Sequence, residues 1–306
     1  MQSSRGNRLC TTCGTAEPIG DTETVFPMCW TCPACGTMLA MDGATPLLAP
    51  ELADTMSGMN PENFAMLKEQ EETHFWFRTR NRMICGLIER HFPRARSFLE
   101  IGCGNGAVLA AVARMRTWDR LMGSELHPSG LRHAQMRLGG KAEFVQMDAR
   151  QIPVQGVFDL VGAFDVIEHI ADDEVVLGQI RDALIPDGGT IITVPQHPAL
   201  WSETDRVAHH QRRYRLGELE AKLERAGFEV VFSTSFVSLL LPLMMASRLI
   251  SKLRPQSPGA HENEFAISPG MNRMLGMVTG AEVSLTLRGM RWPAGGSRVV
   301  LARKRV

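Results

Sequence analysis

Several things are scarce in this 306-residue chain, and each scarcity narrows the field. Neither charge is in excess, with 33 Lys and Arg against 33 Asp and Glu. A protein that lives on phosphate contacts normally carries a basic surplus, because each contact is a Lys or Arg that displaces counterions. Nucleic acid is therefore not the expected partner. Long apolar runs are missing too. The most apolar stretch, residues 236–250, is interrupted by Pro242 and contains Arg248. It falls short of the roughly 20 residues that span a bilayer, so no transmembrane segment is expected. The opening residues hold Arg5 and Arg8 and no apolar core, unlike a secretory leader, which points to a cytoplasmic protein. Internal repeats and low-complexity tracts are absent. Cysteine is sparse after residue 35, where only Cys85 and Cys103 occur.

The other five cysteines crowd into the first 35 residues. Disulfides do not persist in a reducing cytosol, and paired C-x-x-C motifs at this separation read as a metal site. Cys10-Thr11-Thr12-Cys13-Gly14 and Cys32-Pro33-Ala34-Cys35-Gly36 share the form C-x-x-C-G. The glycine lets backbone amides turn toward the thiolates. That shared glycine selects Cys10, Cys13, Cys32 and Cys35 as zinc ligands, and leaves Cys29 as a spare thiol or alternative ligand. Some forty residues cannot bury enough apolar surface to order themselves, whereas a structural Zn²⁺ supplies about 10–16 kcal/mol. The expectation is a structural zinc ribbon over residues 1–45.

The rest of the chain is organised around Ser97-Phe98-Leu99-Glu100-Ile101-Gly102-Cys103-Gly104-Asn105-Gly106. This is an apolar strand with an acid near its end, then three alternate glycines, then an alanine-rich helix. A glycine turn at the carboxyl end of a first strand is where open α/β sheets bind nucleotides. The third glycine follows two residues after the second rather than three, which argues against a dinucleotide fingerprint. Leu121-Met122-Gly123-Ser124-Glu125 is a second strand ending in an acid, 19 residues after the last glycine. Phe144-Val145-Gln146-Met147-Asp148-Ala149 is a third, Phe158-Asp159-Leu160-Val161 a fourth, and Leu184-Ile185-Pro186-Asp187-Gly188-Gly189 the turn before a fifth.

In identity, order and spacing these motifs resemble the class I S-adenosylmethionine (SAM)-dependent methyltransferases, over roughly residues 60–306. The resemblance implies an α/β, Rossmann-like sheet of seven strands with the last inserted antiparallel. It implies a SAM site built from Glu100, Gly102, Cys103, Gly104 and Gly106, from Glu125 and Leu126, from Asp148 and Ala149, and from Phe164. In that site Glu125 would accept both ribose hydroxyls, as a bidentate carboxylate suits a diol, and Asp148 would contact the adenine.

Residues 42–61 are rich in Gly, Pro, Ala and small polar residues, a linker signature. Pro61 suits a helix start, and helical periodicity runs from 62 to 91. Within it, Phe75, Trp76 and Phe77 must point around more than one face, as packing against the sheet or as a lid over the site. Residues 46–95 are thus read as linker and helical lid, and 96–306 as the catalytic domain. Final strands are expected at 228–233 and 297–303. The 60-odd residues between them exceed a hairpin's need and read as helices over 239–253 and 271–288, joined by a polar connection over 255–269. Their methionines would give the 236–296 insertion a soft lining for an apolar or lipid-like acceptor.

Two segments carry candidate chemistry. The first is Asp165-Val166-Ile167-Glu168-His169, just after the fourth strand; the second includes Asp205, His209 and His210. His169 could be a general base oriented by Glu168 or Asp165. Alternatively Asp165, Glu168, His169 and one of His209 or His210 could hold a catalytic divalent cation. That pattern is similar to the E-x-x-E-H plus downstream His of ubiquinone-pathway O-methyltransferases and terminal 2′-O-methyltransferases of small RNAs, with Asp165 where Glu is usual. His197 is a second-rank candidate. The leading expectation is methyl transfer from SAM to oxygen or nitrogen of a small, apolar biosynthetic metabolite, with carbon as a further acceptor. The alternatives are an rRNA or sugar methyltransferase with a ribbon at its amino end, and a non-catalytic SAM-binding scaffold.

Overall fold

A computed structural model of the chain describes residues 6–20, 22–53, 68, 70–253 and 267–305. Its centre is β5 (Ser97–Ile101), a strand with all five side chains buried. Apolar residues on both faces suit a strand covered by helices on either side. β5 pairs in parallel with β6 (Arg120–Glu125) on one flank and β9 (Phe158–Phe164) on the other. β6 continues to β7 (Glu143–Gln146), and β9 to β10 (Leu184–Pro195). The chain therefore builds outward from β5 first one way and then the other. The crevice between β5 and β9 is the switch point where open α/β sheets bind ligands. β12 (Ser297–Lys304) lies antiparallel between β10 and β11 (Phe228–Phe236). This is the inserted last strand that the resemblance implied.

Helices cover both faces. One core joins Phe98, Leu109, Leu160 and Ile191 to Met83, Ile84, Leu87 and Ile88 of α1 (Phe75–His91), and to α2 (Ala107–Ala113) and α3 (Pro128–Leu138). The other packs Ile101, Val145, Val161 and Val300 against α4 (Asp173–Ala183) and α6 (Glu218–Arg225). After β10 in sequence comes the one-turn α5 (Glu203–Val207). The expected insertion helices are α7 (Leu241–Leu253) and α8 (Pro269–Leu287), between β11 and β12. Much of the expected connection over 255–269 lies outside the described residues, as does most of the stretch from 54 to 69. No helix of the described residues is long and apolar enough to cross a membrane.

The structure extends the expected sheet and alters two further expectations. Among the described residues the sheet holds the seven implied strands and two more, because part of the expected linker is ordered. β3 (Ala40–Asp42) and β4 (Thr45–Leu47) form a hairpin turned at Gly43, whose φ is +59°, and β4 adds in parallel to β7 through Leu47 and Gln146. The Gln146 amide fixes the join, accepting the Ala49 N–H at 3.0 Å and donating to the Ala49 carbonyl at 2.7 Å. Gly43, Pro46 and Pro50 look like linker composition but serve a tight turn, a three-residue strand and a short 3-10 turn. Nor does the ribbon stand apart. β1 (Asn7–Leu9) pairs with β2 (Ala16–Pro18) on one side and with β8 (Val154–Gln155) of the sheet domain on the other. Buried Arg8 bonds Glu17, Glu23 and the Val25 carbonyl, while Glu143 at the start of β7 accepts the Val25 N–H at 2.7 Å. The long helix expected over 62–91 is also interrupted. His74 adopts an extended backbone, and its Nδ1 accepts the Trp76 N–H, capping α1.

Candidate active site

The glycine turn follows β5 directly. Gly102, Gly104 and Gly106 all have positive φ, at +64°, +49° and +71°. A Cβ on Gly102 would sit 2.6 Å from Val166, and one on Gly106 would sit 2.9 Å from Ala134, so both conformation and space require glycine there. Glu125, at the end of β6, reaches over this turn. Its Oε2 accepts the Gly104 N–H at 3.0 Å and its Oε1 the Leu126 N–H at 2.8 Å. A carboxylate has about four acceptor sites, so a diol's hydroxyls can still be added. Asp148, just past β7, is held by Arg150 at 2.9 Å, and Ala149 beside it is buried. Cys103 is buried with its thiol near the Gly104 carbonyl, and buried Phe164 ends β9. Glu100 is 2 % exposed and its Oε2 has no partner. Burial pushes its carboxyl well above the ordinary range, against the pull of Arg80. The turn, two flanking acids and an unpartnered buried carboxyl oxygen fit a nucleoside carrying a charged tail.

Across the crevice, the chain leaves β9 through Asp165, which has φ +58° and donates its N–H to the Thr193 carbonyl at 3.0 Å. Its carboxylate is engaged by Arg80 of α1 at 2.5 Å. Arg80 in turn lies over Trp76 at 4.5 Å and Phe77 at 5.5 Å. The aromatic run thus turns a cation into the site, which the sequence reading missed. The i, i+4 spacing of Trp76 and Arg80 was the available signal.

Glu168 lies in a single turn after β9, fully buried, and neither carboxyl oxygen has a partner. Burial, reinforced by Asp165, pushes it well above the ordinary carboxylate range. The His169 ring meets the His210 ring edge-on, with centroids 4.7 Å apart. Burial and the neighbouring His210 lower His169 to about 4, which leaves it a neutral imidazole. His210 Nδ1 lies 2.9 Å from Asp205 Oδ1, which also receives Arg213 Nε at 2.8 Å. Despite its burial, these donors hold Asp205 far below the usual carboxylate range.

One ligand atom each from Glu168, His169 and His210 falls within 4.8 Å of the others, a spacing open to a cation. Two expected members do not join them. His209 is exposed, with φ +56°, because the turn after α5 points it outward, and Asp165 is spent on Arg80. His197 starts the turn Pro198–Leu200 with its Nε2 buried and unpartnered, outside that group. Asp205 and Arg213, which the sequence reading gave no role, position His210.

The four ribbon cysteines form a second centre. Cys10 and Cys35 sulfurs lie 3.6 Å apart, as do those of Cys13 and Cys32, and all four fall within 4.8 Å. Tetrahedral Zn–S bonds of about 2.3 Å require sulfurs about 3.8 Å apart. The two loops match: Gly14 and Gly36, at φ +74° and +75°, donate to the Cys10 and Cys32 carbonyls. Cys29 is exposed and not part of the group. The donor set fits a zinc ion.

Residues 71–232 match the family model described as a methyltransferase domain. A probable S-adenosylmethionine-dependent methyltransferase of Mycolicibacterium smegmatis is 28% identical over 52% of this chain and 61% of its own. The ubiquinone biosynthesis O-methyltransferase of Azorhizobium caulinodans is 27% identical over 47% of this chain and 66% of its own. The chain thus spans less than two thirds of either relative. Among solved structures, a phosphoethanolamine N-methyltransferase of Haemonchus contortus bound to SAM superposes with a TM-score of 0.50. Its identity is 20%, covering 74% of this chain and 53% of that one, a likeness of fold. With more than half its length in the family model and the glycine turn, Glu125 and Asp148 in their places, the chain belongs to the SAM-dependent methyltransferases.

Proposed function

We propose that this enzyme methylates an oxygen or nitrogen of a small, apolar acceptor, with His210 taking the acceptor's proton. The observation that carries this reading is the Asp205–His210 pair at 2.9 Å, set edge-on to His169 beside the crevice. A base backed by a buried carboxylate keeps one tautomer and orientation, and its charged form is stabilised as it gains the proton. Burial makes His169 a poor base, so its assignment passes from base to wall of the acceptor pocket. SAM, when bound, supplies an electrophilic methyl group on a sulfonium. Gly102, Gly104 and Gly106 would admit it, Glu125 would hold its ribose and Asp148 its adenine. Arg80 and Asp165 fasten α1 across the crevice and limit water there. The acceptor loses its proton to His210 as its oxygen or nitrogen gains the methyl group, and Arg213 keeps Asp205 ionised throughout.

His210→Ala and Asp205→Asn should each lower turnover by about 10²-fold or more, with SAM affinity measured by calorimetry nearly unchanged. Normal turnover by His210→Ala on the true acceptor would overturn the assignment. A second reading has Glu168, His169 and His210 hold a divalent cation that polarises the acceptor oxygen, favoured by the two unpartnered Glu168 oxygens and the free His169 Nδ1. EDTA separates the two, since it would silence the enzyme only under the second reading if the ribbon metal is retained. An apolar acceptor is supported by the methionine-rich α7 and α8 beside the crevice.

A further inference from the structure

Fourteen large apolar side chains stand exposed among the described residues, and eight of them fall between residues 239 and 290. They include Leu243, Met245 and Leu249 on α7, and Met271, Met274 and Met277 on α8. The concentration matters because scattered apolar residues are ordinary on a surface, whereas a contiguous apolar face marks something that covers it. α7 is attached by one narrow stripe. Between 241 and 249 none of its side chains is buried, and only Leu241, Met244 and Arg248, a turn apart, are half-buried. A helix so placed would normally turn polar residues outward; this one turns out leucine and methionine.

The charges on the pair say what kind of surface could cover it. Among residues 237–249 and 267–291 the basic ones are Arg248, Arg273, Arg288 and Arg291. The one acid there is Glu282, fully buried and bonded to the Ser238 and Leu239 N–H groups at 3.0 Å each. Among the described residues the outer face therefore offers apolar side chains and cations and no carboxylate. A second copy of the chain would bring the same cations against one another. An anionic bilayer matches both features: leucine and methionine enter the headgroup boundary, and the arginines meet lipid phosphates.

The pair also borders the crevice. α7 touches the turn Pro198–Leu200, and Asn272 of α8 accepts the Phe75 N–H and donates to the Thr73 carbonyl at the head of α1. We propose that α7 and α8 form a docking element for the surface of an anionic membrane, which brings the crevice to the lipid boundary. This goes beyond the apolar-acceptor reading and does not depend on it, because its test reads adsorption and not turnover.

The full chain is sedimented with vesicles of phosphatidylcholine alone and with vesicles containing about one third phosphatidylglycerol. Binding should be at least about tenfold tighter to the anionic vesicles and should weaken in about 0.5 M salt. Leu243→Glu with Met277→Glu should lose at least about tenfold of that binding, with SAM affinity by calorimetry unchanged. If that variant fails to bind SAM, Arg273→Glu with Arg288→Glu, at exposed positions, decides instead. It should weaken anionic binding and leave neutral vesicles unaffected. Absence of wild-type binding to anionic vesicles, or binding indifferent to these substitutions, would overturn the proposal. So would a dimer in sedimentation velocity that Leu243→Glu with Met277→Glu abolishes while wild type ignores vesicles, since the face would then belong to a second copy.

Discussion

Glu100 shows how a single side chain links the donor site to stability. Its folded-state ionisation lies well above the ordinary value of 4.5, chiefly through burial. Above that value the unfolded chain gives up the proton while the folded one keeps it, so the folded state binds more protons and stability falls as pH rises. Glu100→Gln keeps the size and remains neutral. Its Tm by differential scanning fluorimetry should match wild type near pH 4 and exceed it at pH 8, by a margin that widens with pH. A margin independent of pH would mean that Glu100 is ionised in the fold. Glu125 works in the opposite sense, as an acceptor needed in its charged form. Glu125→Ala should cost about 2–3 kcal/mol of SAM affinity by calorimetry, the worth of hydrogen bonds to a charged group.

Among the elements, α1 carries the most consequence, because it holds Arg80 over the crevice while resting on α8. At Gly86 the two helices pack closely: a Cβ there would meet Leu287 at 2.6 Å. Gly86→Val should separate α1 from α8, release Arg80 from Asp165 and lower Tm by several degrees, about 1–3 kcal/mol of overpacking. Unchanged Tm and unchanged tryptophan fluorescence from Trp76 would show that the contact is loose. The strands around β5 were legible in the sequence because each apolar run ends at a recognisable acid or glycine. The helices of the insertion were legible to within two residues at each end; the second begins at Pro269, capped by Ser268, where the expected connection still ran. The break at His74 was not, because it needs a ring nitrogen to replace a backbone acceptor. The Asp205–His210–Arg213 set was hidden for a different reason. Its members lie within nine residues of one another, but only the turn after α5 decides which of two adjacent histidines faces inward.

For the molecule as a whole, the ribbon is part of the sheet's construction. Purified protein should carry one zinc per chain by elemental analysis, and less than about a tenth of an equivalent after chelator-free purification would sink the assignment. Cys29→Ser should retain the metal. Cys32→Ser should lose it and, because β1 pairs with β8 and β4 with β7, should lower the Tm of the whole chain rather than merely loosen the first forty residues. Two separate transitions, with the second at the wild-type temperature, would show an independent ribbon. That coupling was illegible in the sequence, because a two-residue strand such as Val154–Gln155 has no pattern of its own.

The β1–β8 pairing also bears on synthesis. The ribbon leaves the ribosome before the sheet domain, and the partner of Arg8 in that ladder, Val154, follows 146 residues later. At about 5–20 residues per second that delay lasts roughly 7–30 seconds. During it, β1 presents an open edge, which is a template for pairing with other chains. Metal capture by the nascent knuckles would hold this edge in a compact unit until the sheet domain arrives to close it.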